Sequence, residues 1–271
     1  MKKIILLYAA AMLLTACSTV PLTGRKQLSL VPNAEVLSLS ARQYGDFIKQ
    51  TPLSNDVAGR AAVERVGKRI QAAVEQYLKQ TGQLALLEGY AWEFKLVQGK
   101  DVNAFCMPGG KVVFYDGIMP FTQNDAGIAT VMGHEIAHAI ARHGNERMSQ
   151  QLVAQLGSAA TAVAVSGKSE TTQAIANTVF GAGAQFGVLL PYSRKHELEA
   201  DHLGMIFMAM AGYNPNEAIA FWQRMAAHGG ANVAEFMSTH PSDDTRIREM
   251  KKALPEAMKY YKKSSSSSWN F

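Results

Sequence analysis

Cysteine is nearly absent: the 271 residues hold two, Cys17 and Cys106. At most one disulfide could form, so the fold is not a small cross-linked scaffold and must rest on a hydrophobic core. Long apolar runs are missing too. Ile4 to Leu14 falls short of the roughly 20 residues a helix needs to cross a bilayer. The small-residue run 158–166 is shorter still, and Lys168 and Glu170 follow it closely. Charge of one sign is scarce. The net charge is +5, and Lys2 and Lys3 supply two of those charges, so the remainder is too mild and dispersed for a nucleic-acid surface. No internal repeat is visible, which excludes a helical array. What is present is ordinary globular material, 48% hydrophobic and 18% charged.

The N-terminus reads as a targeting segment. Lys2 and Lys3 form a basic region, Ile4 to Leu14 an apolar one, and Leu14-Thr15-Ala16-Cys17 resembles the bacterial lipobox. That resemblance implies a signal peptide over 1–16, lipidation of Cys17 and a membrane partner reached through the acyl chains. Ser18 after the cysteine implies the outer membrane of the bacterial cell envelope, facing the periplasm. With Cys17 acylated, only Cys106 remains and no intrachain disulfide is available. Residues 17–32, with Pro21, Gly24 and Pro32, are expected to be a tether, 33–262 the folded domain, and 263–271, with its serine run, a disordered tail.

Periodicity gives a mostly helical α+β fold with one small sheet. Val36, Leu37, Tyr44, Phe47 and Ile48 follow a possible cap at Asn33, and Val63, Val66, Ile70, Val74 and Leu78 form one stripe over 57–80. Strands are expected around 92–98, 103–107 and 111–115, with Pro108-Gly109-Gly110 as a turn. A helix over about 124–142 should stop at Gly144, and another over 193–211 at Gly212, with Pro215 opening the next. Residues 151–190 read as a buried or loosely packed helical hairpin.

Chemistry concentrates at His134-Glu135-Ile136-Ala137-His138. At about 100° per residue the two histidines share a helix face and can reach one ion. Zinc takes such imidazole nitrogens, with three protein ligands and an open position at a catalytic site. Glu135 is placed to take a proton from water rather than to bind metal. The motif interrupts an apolar stripe, where ionisable groups are costly unless paired or metal-bound. A third ligand is expected from Glu197 or Asp201, which share a face of the later helix. The other carboxylate would accept the free N–H of a ligand histidine. Glu199 points about 200° away, so its removal should leave metal binding intact.

These elements, with Asp101-Val102-Asn103-Ala104-Phe105 and Thr239-His240-Pro241 ahead of Arg246, resemble the HtpX and CAAX-prenyl-protease family of zinc metallopeptidases. The lipobox makes the chain look most like that family's LoiP-like and BepA-like envelope members. The resemblance implies a zincin-like domain and one Zn2+ held by His134, His138 and Glu197. It further implies Asp201 behind the ligands and a substrate strand at Asn103, Ala104 and Phe105 beside the active-site helix. Glu135 is then the general base of a metalloendopeptidase acting on unfolded or misassembled envelope proteins. His240 is either a catalytic stabiliser of the transition state or a fourth ligand that blocks the water position, and Arg246 is a further oxyanion candidate. A rarely cleaving chaperone and a zinc hydrolase of cell-wall cross-links are the rival readings. His143 and Arg142 read as helix-end groups, His196 and His202 as surface residues, His228 as a helix end, and Cys106 as a small buried hydrophobe.

Overall fold

The structure, a computed structural model, describes residues 17–20, 23–158, 193–228, 231–240 and 244–266. The targeting segment, most of the expected 151–190 hairpin and Pro241 lie outside them.

Alternation dictates the sheet. Strands β3 (Glu93–Val97), β4 (Ala104–Met107) and β5 (Lys111–Tyr115) lie in the order β3-β5-β4, with β3 parallel and β4 antiparallel to β5. Successive side chains point to opposite faces. Leu96, Ala104, Val112 and Phe114 therefore enter the main core, while Val97, Met107, Val113 and Tyr115 pack with Tyr44 and Phe47 of helix α1 (Asn33–Gln50). The β4–β5 turn uses Gly109 at φ 93° and Gly110 at φ 81°, conformations that glycine adopts without steric cost. Pro52–Ser54 occupies part of the outer side of β3 through Ser54 N–H to Leu96 O and Gln98 N–H to Pro52 O. The outer side of β4 pairs with no strand among the described residues.

Helix α2 (Val57–Gln80) buries the predicted stripe and is capped by Asp56, which accepts from Gly59 N–H at 2.9 Å. At the centre lies α3 (Asp125–Ile140), buried without interruption from Gly127 to Ile140 and capped by Asn124. It crosses α5 (Arg194–Met210) so closely that a Cβ built on Gly133 would lie 2.8 Å from Gly204 O. Backbone meets backbone at this crossing, which brings side chains one turn away on each helix within reach of one another. Helices α6 (Asn216–Ala227), α7 (Ala231–Thr239) and α8 (Asp244–Ser266) follow. The α+β class, mostly helical with small sheets, is as expected.

Three expectations need correction. The chain leaves α3 through Arg142 at φ 57°, not at Gly144, so His143 opens a new helix, α4 (His143–Ser158), instead of ending the old one. Residues 17–32 contain an antiparallel hairpin, β1 (Cys17–Thr19) with β2 (Lys26–Leu28), whose Val20 and Gln27 are buried. A tether has no such contacts. Helix α8 continues through Ser266, past the expected boundary at 262. No helix among the described residues is long and apolar enough to cross a membrane.

Candidate metal centre

Helical spacing places His134 and His138 on one face of α3. The α3–α5 crossing sets Glu197 opposite them, and the chain leaving α7 adds His240. All four are buried, none more than 4% exposed. One donor atom from each lies within 4.8 Å of the others. His134 Nε2 is 3.1 Å from His138 Nε2, 3.2 Å from His240 Nδ1 and 3.4 Å from Glu197 Oε2. Glu197 Oε1 is 3.4 Å from His138 Nε2 and 3.3 Å from His240 Nδ1. Ligands about 2.0–2.1 Å from a tetrahedral ion stand about 3.3–3.4 Å apart, so this spacing fits a first-row divalent metal.

Hydrogen bonding leads to the same reading. Asp201 Oδ1 lies 2.9 Å from His134 Nδ1, and a carboxylate there must receive the N–H, so Nε2 faces the cluster and offers its lone pair to a metal that displaces a proton from it. Neither Glu197 oxygen receives a directed hydrogen bond, although Arg246 Nη1 lies 2.9 Å from Oε2 as an ion pair. Arg246 reaches the rim of the cluster, with Nη2 3.4 Å from His134 Nε2, but the atoms that converge inside it are acceptors when the rings are neutral, and buried lone pairs repel unless a cation lies between them. The donor set thus fits a metal.

Burial would raise the Glu197 carboxyl, but Arg246, His240 and the two ligand histidines hold it well below the usual range. Asp201 is likewise lowered, with burial outweighed chiefly by Arg246. Burial presses His138 well below the ordinary imidazole value, whereas Asp201 and Glu197 overcome burial at His134 and lift it to about 9. Glu135, beside the ligands on α3, goes the other way: burial raises its carboxyl. Its Oε1 receives no hydrogen bond and lies 3.6 Å from His240 Nε2.

The structure therefore brings His134, Glu135, His138, Glu197, Asp201 and His240 into one site. Ala104 and Phe105 lie on the edge strand β4, Asn103 just before it, and Cys17 opens β1. Several residues stand elsewhere than expected. Arg246 is 1% exposed, 2.8 Å from Asp201 Oδ1, and its guanidinium carbon sits 3.6 Å from the Trp222 ring centroid. It pairs with both carboxylates, Glu197 and Asp201. Trp222 in turn touches the edge of His134 and stacks on Phe236, which packs against His240. Nothing in the sequence distinguished that tryptophan from a core residue.

His196 is buried and lies 2.9 Å from Glu146, not on the surface, and His202 is partly exposed and pairs with Glu256. Glu199, expected to point away from the site, is also buried. His143 lies 2.9 Å from His138, Nδ1 to Nδ1, because the break at Arg142 returns it towards the site. Arg25, from the supposed tether, pairs with Glu146 and Glu199.

One pH effect follows. Burial would raise Glu146, but hydrogen bonds from His196 and Arg25 outweigh it and hold the carboxyl at about 2, below its ordinary 4.5. A carboxyl lowered on folding contributes stability that is complete above the unfolded value and is lost as pH falls through the folded one. The melting temperature of the wild type should therefore drop towards that of Glu146→Gln between about pH 4.5 and 2. Parallel melting curves across that window would show that the pairing contributes nothing.

Residues 64–254 match peptidase family M48. The mitochondrial metalloendopeptidase OMA1 of Saccharomyces cerevisiae is 38% identical over 198 residues, covering 68% of this chain and 53% of that protein. Its namesake from Schizosaccharomyces pombe is 36% identical over 188 residues, with the same coverage. The beta-barrel assembly-enhancing protease of Yersinia pestis is 31% identical over 169 residues, 58% of this chain and 33% of that protein. The chain spans about half the length, or less, of these curated relatives. The similarity to OMA1 overturns the expected bacterial outer-membrane location. That expectation rested on a four-residue resemblance after a short apolar run, whereas the relatives match across two thirds of the chain. It also broadens the expected kinship: the beta-barrel assembly-enhancing proteases match more distantly, and the relatives of higher identity are not of the HtpX, CAAX-prenyl-protease or LoiP-like kind. On the family match and the geometry it encloses, the chain belongs to peptidase family M48 and carries that family's metallopeptidase domain.

Proposed function

We propose that the chain is a zinc-dependent endopeptidase that cleaves extended stretches of unfolded or misassembled proteins. The observation that carries this reading is the buried cluster of His134, His138, Glu197 and His240 with Glu135 beside it. Zinc bound there supplies Lewis acidity and an activated water at neutral pH. Glu135, its carboxyl raised by burial, accepts the proton from the attacking water and returns it to the leaving amine. Asp201 and Arg246 hold His134 and Glu197 in register. The outer side of β4 offers main-chain hydrogen bonds to an extended peptide, which gives affinity with little demand on sequence and favours chains that have lost their fold.

The test is digestion of casein by the purified chain with and without a chelator. Cleavage that stops on chelation and returns with zinc supports the proposal, and cleavage indifferent to metal rejects it.

His240 carries a separate prediction. Its Nδ1 stands among the other three donors, the position of a fourth ligand, whereas catalytic zinc sites keep one position open. His240→Ala should therefore raise basal casein cleavage several-fold at full metal occupancy. A fall of about 10²–10³ would instead assign His240 to the oxyanion.

A further inference from the structure

Behind the metal centre lies a second group of ionisable side chains that the cleavage chemistry does not use: Arg25, His143, Glu146, His196 and Glu199. The four on the helices are buried, and the Arg25 side chain is only 11% exposed. The hydrogen-bond directions in this group are fixed by one requirement. If His138 offers Nε2 to a metal, its Nδ1 carries the proton. The partner at 2.9 Å is His143 Nδ1, which must then present a lone pair, so the His143 proton sits on Nε2. That N–H faces Glu199 Oε2 at 3.3 Å. Glu199 is held in turn by Arg25 Nε at 2.7 Å and by the Thr23 hydroxyl at 2.5 Å. The same guanidinium forks onto Glu146 through Nη1 at 2.8 Å and Nη2 at 2.7 Å. Glu146 also meets His196, whose ring stacks on His143 at 4.4 Å between centroids. Gly24, at φ 66°, turns the strap so that Thr23 and Arg25 reach the same carboxylate.

The two ligand histidines on α3 are thus supported differently. His134 has a carboxylate directly behind it, Asp201, neutralised by Arg246. His138 has an imidazole behind it and the carboxylate one residue further back, neutralised by Arg25. We propose that Arg25, through Glu199 and His143, is a positioning residue of the metal centre: it fixes the tautomer and orientation of His138 and thereby sets metal affinity. Without Arg25, Glu146 and Glu199 are two buried carboxylates with no shared counter-charge. Glu199 then no longer holds the His143 proton on Nε2, and a His143 protonated on Nδ1 would set N–H against N–H at His138. The hairpin that carries Arg25 becomes part of the catalytic apparatus, although it lies outside the stretch that matches the family. Glu199, expected from its helical phase to be irrelevant to metal binding, becomes a contributor to it.

This inference rests on the zinc reading above, and the experiment separates the two. Zinc affinity is measured by competition with a chromophoric chelator, and the ligand field by the absorption spectrum of the Co2+-loaded protein. The proteins compared are wild type, Arg25→Ala, Arg25→Lys, His143→Phe and Arg65→Ala. The last removes an exposed ion pair to Asp125 and controls for loss of a charge. Loss of such support behind a metal ligand weakens binding by about 10–100-fold. Arg25→Ala and His143→Phe should show that loss and an altered Co2+ spectrum. Arg25→Lys should recover part of the affinity, since an ammonium replaces the charge but not the fork. Arg65→Ala should match wild type. Should Arg25→Ala fail to fold, His143→Phe decides, since it keeps an aromatic ring in place and leaves both Arg25 pairs intact. Zinc affinity within twofold of wild type in the folded variants overturns the relay. Failure of the wild type to bind one zinc per chain overturns the metal reading, and the relay with it.

Discussion

Glu135→Gln should bind metal as the wild type does and lose peptidase activity by a factor of about 10²–10⁴, the range of a lost general base. Glutamine has nearly the same volume and lies on a helix already fixed by its neighbours, so α3 should not move. The carboxylate is 4% exposed and is not among the four converging donors. What changes is basicity, because an amide cannot accept the proton that a carboxylate raised by burial is suited to take. The measurement is kcat/KM on an unfolded protein together with metal stoichiometry. Activity within tenfold of wild type at full occupancy would remove Glu135 from the mechanism. Loss of metal along with activity would make it a ligand.

Arg246→Ala should cost the protein about 3–5 kcal/mol of folding stability, the range for breaking a buried ion pair by removing one partner. That is a large part of the total of about 5–15 kcal/mol available to a domain. Arg246 is the cation closest to both Glu197 and Asp201, at 2.9 Å and 2.5 Å, and it covers the face of Trp222. Its removal leaves both carboxylates buried together and takes the cation from the face of the ring. Urea unfolding of the metal-free protein measures the cost without the contribution of metal binding. A loss below about 1 kcal/mol would mean that water replaces the guanidinium and that the pair is of the surface kind.

The two residues differ in how far sequence could reach them. Glu135 was legible because it lies between two histidines one helical turn apart, a pattern that little besides metal-assisted hydrolysis requires. The stripe of α2 and the alternation of β3 were legible for similar reasons of period, and β5 for its short β-branched run. Glu197 and Asp201 could be placed on one face of α5, but phase alone could not choose between them. Reading outward from that face failed. Glu199 and His196 point away from the metal, and on an ordinary amphipathic helix that direction is solvent. Here that side of α5 meets Thr23 and Arg25 and the α4 residues His143 and Glu146, which only tertiary contact reveals. His143 was misplaced because about 140° separates it from His138 on a continuous helix, and the helix is not continuous. Arg25 sits among prolines and a glycine, a composition that signals irregular backbone but not whether that backbone is anchored.

Chain order sets the timing of assembly. The histidines of α3 leave the ribosome before the carboxylates of α5, and the guanidinium that neutralises those carboxylates comes later still, at the start of α8. Synthesis is vectorial, and until α8 docks Glu197 and Asp201 cannot be enclosed without uncompensated charge. A chain in which α8 has not docked therefore lacks the counter-charge that lets these two carboxylates stay enclosed beside the histidines of α3.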